Sequence, residues 1–250
     1  MNRRNSGQFA YKTNIGKVRM INEDQAIALS NSSGDILLLV CDGMGGHNKG
    51  DYASKFAVDT ISDAFRKKNH FGSLFMTKYW FSKVIRNTNL QIYNEAYRNS
   101  AYKDMGTTMV AALIIRDKIV IANIGDSRAY EVKFDGLAQL TTDQTYVDYL
   151  YRTGKITKEE MESHPKRHVL MNALGIYPSI NLDVNVLPYL GNSILLCSDG
   201  LYNNMDQKEV FTILQSDDRI AQKVDMLIRT ANENGGSDNI AIAYWESNHD

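Results

Sequence analysis

Four apolar runs in this chain carry an aspartate at one end. LLLVCDG reaches Asp42, IVIANIGD reaches Asp126, ILLCSDG reaches Asp199, and GSDNIAIAYW starts from Asp238. Short runs rich in Val and Ile read as buried strands, and a charge at the margin of each must be accommodated by the fold. In antiparallel sheet the C-terminal end of one strand lies beside the N-terminal end of its neighbour. Acids far apart in sequence can therefore share one edge, and the repetition of the pattern restricts the chain to folds that have such an edge.

The rest of the chain agrees with an antiparallel reading. Strands are expected at Gln25–Ser30, Ile36–Cys41, Thr107–Ile115, Ile119–Asn123, Ser127–Val132, Ile194–Ser198 and Ile240–Trp245, several of them separated by hairpin-sized turns such as NSSGD and RDK. Helical periodicity falls between them. Asp51–Phe65 sets Ala53, Phe56, Ala57, Ile61, Ala64 and Phe65 on one face, and a stretch around Lys78–Arg98 shows Phe81, Val84, Ile85, Thr88 and Ile92 at similar spacing. Further helices are expected near Gln207–Leu214 and Arg219–Glu233. Strands in meanders with helices gathered between them give an α+β class, sheet packed on sheet with helices outside. No Pro/Ser-rich linker divides the 250 residues, so one domain over residues 1–250 is expected.

The first hairpin makes the acidic edge concrete. If Gln25–Ser30 pairs with Ile36–Cys41 across NSSGD, Gln25 faces Cys41 and the next pair outward is Asp24 with Asp42, with Glu23 adjacent. Carboxylates held that close repel unless protonated or neutralised by cations. Hard divalent ions such as Mg²⁺ and Mn²⁺ take carboxylate, carbonyl and water oxygens, and the glycines after Asp42 would leave the Gly43 carbonyl free to join them. The bland alternative, turn chemistry, explains one DG pair but weakens with each repetition. DGMGGHNKGDYA lacks the spacing of a calcium loop, and Lys49 is followed by Gly50 rather than the Ser or Thr of a nucleotide-binding P-loop. Asn48 stands where a dinucleotide fingerprint needs its last glycine. A thiolate phosphatase is unsupported, since His47 and Asn203 occupy the positions where an arginine would follow Cys41 and Cys197. Both cysteines read as small buried hydrophobes.

Segments along nearly the whole chain resemble one family, the metal-dependent protein serine/threonine phosphatases of the PP2C type, especially the compact bacterial members. They are GKVRMINEDQ, VCDGMGGHNKGDYAS, GTTMVAALI, ANIGDSRAY, LTTDQTYV, HPKRHVLMNALG, LLCSDGLYNNM and GSDNIAIAYW, in the family's order. The resemblance implies a four-layer α-β-β-α sandwich of two antiparallel sheets flanked by helices. It implies Mn²⁺ or Mg²⁺ as cofactor, two core ions plus a weaker third. Asp42 would bridge the core pair, with the Gly43 carbonyl and Glu23 on one ion and Asp199 and Asp238 on the other. Asp126 would share the third ion with Asp199, and Arg19 would bind phosphate. Two positions depart from the family pattern. Gln144 replaces the histidine of an Asp-His-Ser segment, and Met44 replaces the histidine that follows Asp-Gly in many eukaryotic relatives.

The chemistry expected is hydrolysis of phosphoserine and phosphothreonine in proteins. A hydroxide bridging the two ions would attack phosphorus in line while Arg19 grips the phosphoryl oxygens in a fork. His47 or a water would protonate the leaving alkoxide. His164 and His168, in HPKRH, read as a solvated basic loop near a flap. Asp143 and Asp148 read as turn and helix-start residues, and the tyrosines are given no binding role. A phosphatase for small esters or diesters, and a phosphoprotein-binding regulator without turnover, are the competing readings. The presence of every expected metal acid argues against the regulator. With 28 basic and 29 acidic residues the net charge is −1, so no general attraction to nucleic acid or membrane is expected and any charge-based function must be local. The N-terminus lacks the apolar core of a signal peptide and no run reaches the length of a membrane span. A monomeric cytoplasmic protein is expected, with phosphoproteins and a cognate Ser/Thr kinase as partners.

Overall fold

The structure, a computed structural model, describes residues 6–45 and 49–248. The strands are β1 (Gly7–Asn14), β2 (Asp24–Ser30), β3 (Ile36–Met44), β4 (Gly106–Thr107), β5 (Met109–Ile115), β6 (Lys118–Ile124), β7 (Arg128–Lys133), β8 (Gly136–Gln139), β9 (Asp183–Pro188), β10 (Ser193–Cys197) and β11 (Ile240–Ser247). The helices are α1 (Gly50–Arg66), α2 (Leu74–Arg98), α3 (Tyr146–Arg152), α4 (Lys158–Ser163), α5 (Asp199–Tyr202), α6 (Gln207–Leu214) and α7 (Ile220–Glu233). One sheet has the order β1-β11-β10-β7-β8 and the other β2-β3-β5-β6-β9, with β4 on the end of β3 and every pair antiparallel.

The side-chain alternation of β3 shows why the layers stack as they do. Leu37, Leu39 and Cys41 point into one apolar cluster with Ala53, Ile61 and Phe65 of α1 and Phe81 and Ile85 of α2. Ile36, Leu38 and Val40 point into a second, shared with Leu196 of β10 and Ala243 and Trp245 of β11. A third cluster joins the opposite face of β10 and β11, through Leu195 and Ile242, to Val210 of α6 and Leu227 of α7. Three interior seams of this kind make four layers, the α-β-β-α arrangement expected. A strand covered on both faces must be apolar at every position, which is why Ile36–Cys41 reads as an unbroken run.

Expectation and structure differ at several elements. β3 does not stop before Asp42 but runs on to Met44, because Gly43 and Met44 pair with Thr107 and Gly106 of β4. The edge strand β1 and the strands β8 and β9 lie where no apolar run marks them. α2 begins at Leu74, one turn before the expected start, with the Ser73 hydroxyl accepting from the Met76 N–H.

Candidate active site

Both sheets contribute to one acidic edge, and short polar contacts stitch it together. The register of the first hairpin is the one read from its turn: Gln25 opposes Cys41 and Asp24 opposes Asp42. Asp24 is only 1 % exposed. The Ser198 hydroxyl, just past β10 in the other sheet, donates to Asp24 Oδ2 at 2.6 Å and accepts from the Ala241 N–H at 2.8 Å. Asp42 is held through its backbone. Its N–H donates to Thr108 Oγ1 at 3.0 Å, and its carbonyl accepts from the Thr108 N–H at 2.8 Å.

The glycines next to these acids are there for close approach. A Cβ on Gly43 would stand 2.2 Å from the Gly50 carbonyl oxygen and 2.6 Å from that of Glu23, and one on Gly200 would stand 1.9 Å from the Asn239 oxygen. No larger residue fits without moving backbone. The same packing brings Glu23 to the start of α1. Its Oε1 accepts from the Gly50 N–H at 3.1 Å, a carboxylate at the positive end of the helix.

Asn239 places the loop that carries Arg19. Its Nδ2 donates to the Ile15 and Ile21 carbonyls at 2.8 and 2.9 Å, and its Oδ1 accepts from the Glu23 N–H at 2.8 Å. Arg19 thus comes beside Asp238, Nη2 to Oδ2 at 2.6 Å. Asp199 opens α5 and Asp126 sits in the β6–β7 turn. The structure therefore brings Arg19, Glu23, Asp42, Gly43, Asp126, Asp199 and Asp238 to one edge, together with the buried Asp24. His47 lies outside the described residues.

The electrostatics of the edge are those of crowded, dehydrated carboxylates. Burial, followed by the charges of Asp24, Asp199, Asp126 and Asp238, pushes Asp42 well above the ordinary carboxylate range. Burial raises Asp24 too, against the Ser198 hydrogen bond. Burial and the charge of Asp199 push Asp126 up to about 7, and burial and Asp238 push Asp199 up to about 6. Asp199 Oδ1 is buried without a hydrogen-bond partner.

An orphaned carboxylate oxygen among acids that resist ionisation fits a divalent cation, which would supply the missing partner and neutralise the repulsion. Among the described residues no three acid, histidine or cysteine side chains close into a single cage. Each ion would thus have few protein ligands and complete its shell with water, as Mg²⁺ and Mn²⁺ accept.

These shifts set a direction for stability. Carboxyls whose folded pKa exceeds the unfolded one hold protons that the unfolded chain has already released, so stability is lost as pH rises through that interval. The melting temperature of the chelated protein is expected to fall between about pH 5 and about pH 8, with Mn²⁺ restoring it most at the upper end. A chelated melting temperature that is flat or rises over that range would show that the acids are not held as described.

Three features were not drawn from the sequence. Asp143 is more than a turn residue: Arg128 Nε and Nη2 donate to its Oδ2 at 2.9 and 2.6 Å, and the guanidinium lies 3.5 Å over the Tyr202 ring. Tyr202 in turn donates to the Asp126 carbonyl at 3.2 Å, which gives one tyrosine a place in the site. Asp148 is the helix-start residue expected, its N–H donating to Thr145 Oγ1 at 3.2 Å, and Lys166, Arg167 and His168 lie exposed as a solvated loop.

Gln144 is the third. Its N–H donates to the Gly125 carbonyl at 3.0 Å, and its Oε1 accepts from the Gly125 N–H at 3.1 Å and Asn172 Nδ2 at 2.7 Å. Its Nε2 donates to Asp183 Oδ2 at 3.1 Å, and its carbonyl accepts from the Met171 N–H at 2.8 Å. One amide thus ties the turn bearing Asp126 to the segment 164–175. Gln144→Ala removes these three side-chain bonds and a fourth, from Nε2 to the Asn123 carbonyl at 3.4 Å, and is expected to speed amide exchange in 164–175 by on the order of tenfold and to lower turnover with it. Unchanged exchange there would show the segment is held by other contacts.

Comparison with known proteins gives a consistent picture. A family model for protein phosphatase 2C matches residues 17–242. The serine/threonine phosphatase stp of Listeria innocua is 38% identical over 239 residues, covering 95% of each chain. The protein phosphatase PhpP of Streptococcus pneumoniae is 33% identical over 244 residues, covering 97% of this chain and 98% of its own. Among solved structures, the serine/threonine phosphatase Stp1 from Staphylococcus aureus superposes with a TM-score of 0.90 at 33% identity, covering 97% of this chain and 96% of its own.

Proposed function

The chain belongs to the protein phosphatase 2C family, and from that premise we propose that it hydrolyses phosphoserine and phosphothreonine in proteins, opposing a Ser/Thr kinase. The observation that carries the reading is the convergence of acids from both sheets on one edge, with Arg19 brought beside Asp238 at 2.6 Å. The catalytic unit is the single domain over residues 1–250, acting as a monomer.

Asp42 and the Gly43 carbonyl, with Glu23, would hold one cation, Asp42 with Asp199 and Asp238 a second, and Asp126 with Asp199 a third. Bound there, Mn²⁺ or Mg²⁺ supplies Lewis acidity and lowers the pKa of water toward neutrality. The chain's own residues do the rest. Arg19, on a loop fastened at both ends by Asn239, offers a planar fork to the phosphoryl oxygens. Its pairing with Asp238 positions the guanidinium at the rim, with about half of its side-chain surface still open to substrate. Ser198 and Thr108 hold the backbone and carboxyl of the central pair so that little reorganisation is needed when charge develops. Leaving-group protonation is assigned to water or to His47.

Steady-state turnover of a phosphothreonine peptide with Mn²⁺, beside small phosphate monoesters and diesters, tests the reading. Peptide hydrolysis that requires the metal and exceeds the small esters in kcat/KM is expected. Preference for small esters or diesters would reassign the substrate class, and peptide binding without turnover would make the protein a regulator.

A further inference from the structure

The charge of this protein is nearly balanced overall but unevenly distributed. From residue 64 through residue 94 there is no Asp or Glu, while the same stretch holds Arg66, Lys67, Lys68, Lys78, Lys83 and Arg86. It covers the end of α1, the connection and most of α2. α1 starts beside Glu23 at the acidic edge and runs 17 residues away from it, so at ~1.5 Å per residue the basic end lies about 25 Å from the edge. The nearest acids do not neutralise it. Asp63 is taken by Arg66 at 2.7 Å, and Asp35 is buried and bonded to Asn31. Among the described residues, Lys67, Lys68, Lys78 and Lys83 form no salt bridge. The first turn of α2 carries no acid either, which leaves the positive end of its dipole uncompensated.

Apolar side chains stand among these cations. Leu74 is 41 %, Phe75 77 %, Met76 55 % and Tyr79 57 % exposed, whereas Thr77, Phe81 and Ile85 of the same helix are buried. Four large apolar residues within the first two turns, with lysines on both sides, make a patch that the fold itself does not cover. Side chains this exposed project from the helix rather than line a cleft. Basic residues around projecting aromatic and aliphatic tips suit a surface that is anionic outside and apolar beneath.

We infer that this end of the molecule docks on an anionic lipid bilayer, with Phe75, Met76 and Tyr79 entering the headgroup boundary and Lys67, Lys68 and Lys78 pairing with lipid phosphates. The charge separation orients the molecule. With the basic end on the lipid, the acidic edge lies on the far side, open to the phosphoprotein substrates of the function proposed above. The balanced net charge excludes a general attraction to lipid, and this patch is a local one.

Co-sedimentation of the full chain with vesicles of phosphatidylcholine and phosphatidylglycerol, in EDTA so that no cation bridges lipid to the acidic edge, tests the inference. Binding to anionic vesicles is expected, with at least ~10-fold weaker binding to pure phosphatidylcholine and loss at high salt. Two variants, Lys67→Ala/Lys68→Ala/Lys78→Ala and Phe75→Ser/Tyr79→Ser, are each expected to weaken it ~10-fold or more, with melting temperature and peptide turnover in solution unchanged. Absence of vesicle binding by the native chain at low salt overturns the proposal. So does binding that both folded variants retain, or equal binding to neutral vesicles. Polyglutamate that binds the patch and prevents all vesicle association at equal charge concentration would assign the surface to an acidic protein instead.

Discussion

Asp42→Asn is expected to lower Mn²⁺-dependent peptide turnover by at least ~1000-fold, equivalent to ~4 kcal/mol of barrier, while the chelated protein melts no lower than the native chain. The two halves of this expectation have one cause. Asp42 is half-buried opposite Asp24 with Asp126, Asp199 and Asp238 close enough to raise its pKa, so its charge is unfavourable in the metal-free fold. Asparagine keeps the shape, and the backbone bonds to Thr108 do not depend on the side chain. Removing the charge relieves repulsion but also removes the acid to which both core ions are assigned. The check is turnover together with the Mn²⁺-induced rise in melting temperature on one folded sample. A variant within tenfold of native turnover, or one with an undiminished Mn²⁺ shift, would move the core site away from Asp42.

The acidic edge was legible because it depends on local rules that combine simply. A short turn and period-two alternation determine which residues face each other, so the Asp24–Asp42 pair follows from NSSGD alone. Acids at the ends of doubly buried runs stand out because everything else in those runs is apolar. What escaped has a different physical basis. β1, GQFAYKTN, is a half-exposed edge strand and has no reason to be uniformly apolar. α3 and α4 are short and are set by their caps, Thr145 and the Thr157–Glu160 capping box, rather than by an apolar stripe. α2 opens with the exposed Leu74, Phe75 and Met76, which break the periodicity that would have shown its first turn. Gln144 acts only once Gly125, Asn172 and Asp183 have been brought to it, and no spacing in the chain encodes that meeting.

Asp199 is the second residue on which a large loss is expected, and its two oxygens predict how the loss arises. Oδ2 accepts from Asn203 Nδ2 at 3.1 Å, whereas Oδ1 is buried with no partner. In Asp199→Asn one position receives an amide. If the new NH₂ takes the place of Oδ1, a donor faces a site that calls for an acceptor; if it takes the place of Oδ2, it meets the Asn203 amide donor, which must flip to present its oxygen. The first arrangement is favoured because it retains the Asn203 bond without that flip, and it turns a dipole's positive end toward the cations assigned to Asp42 and Asp126. Turnover is expected to fall at least ~100-fold, about 2.7 kcal/mol of barrier, with the fold intact. Asn203→Ala separates this from mere loss of positioning, since it leaves both carboxylate oxygens in place and removes only the Asn203 hydrogen bond. That variant is expected to stay within about tenfold of native. Measured side by side across a Mn²⁺ titration, a large loss in Asp199→Asn that excess metal does not restore would place the charge itself in the reaction. Equal losses in the two variants would reduce Asp199 to a residue that orders the start of α5.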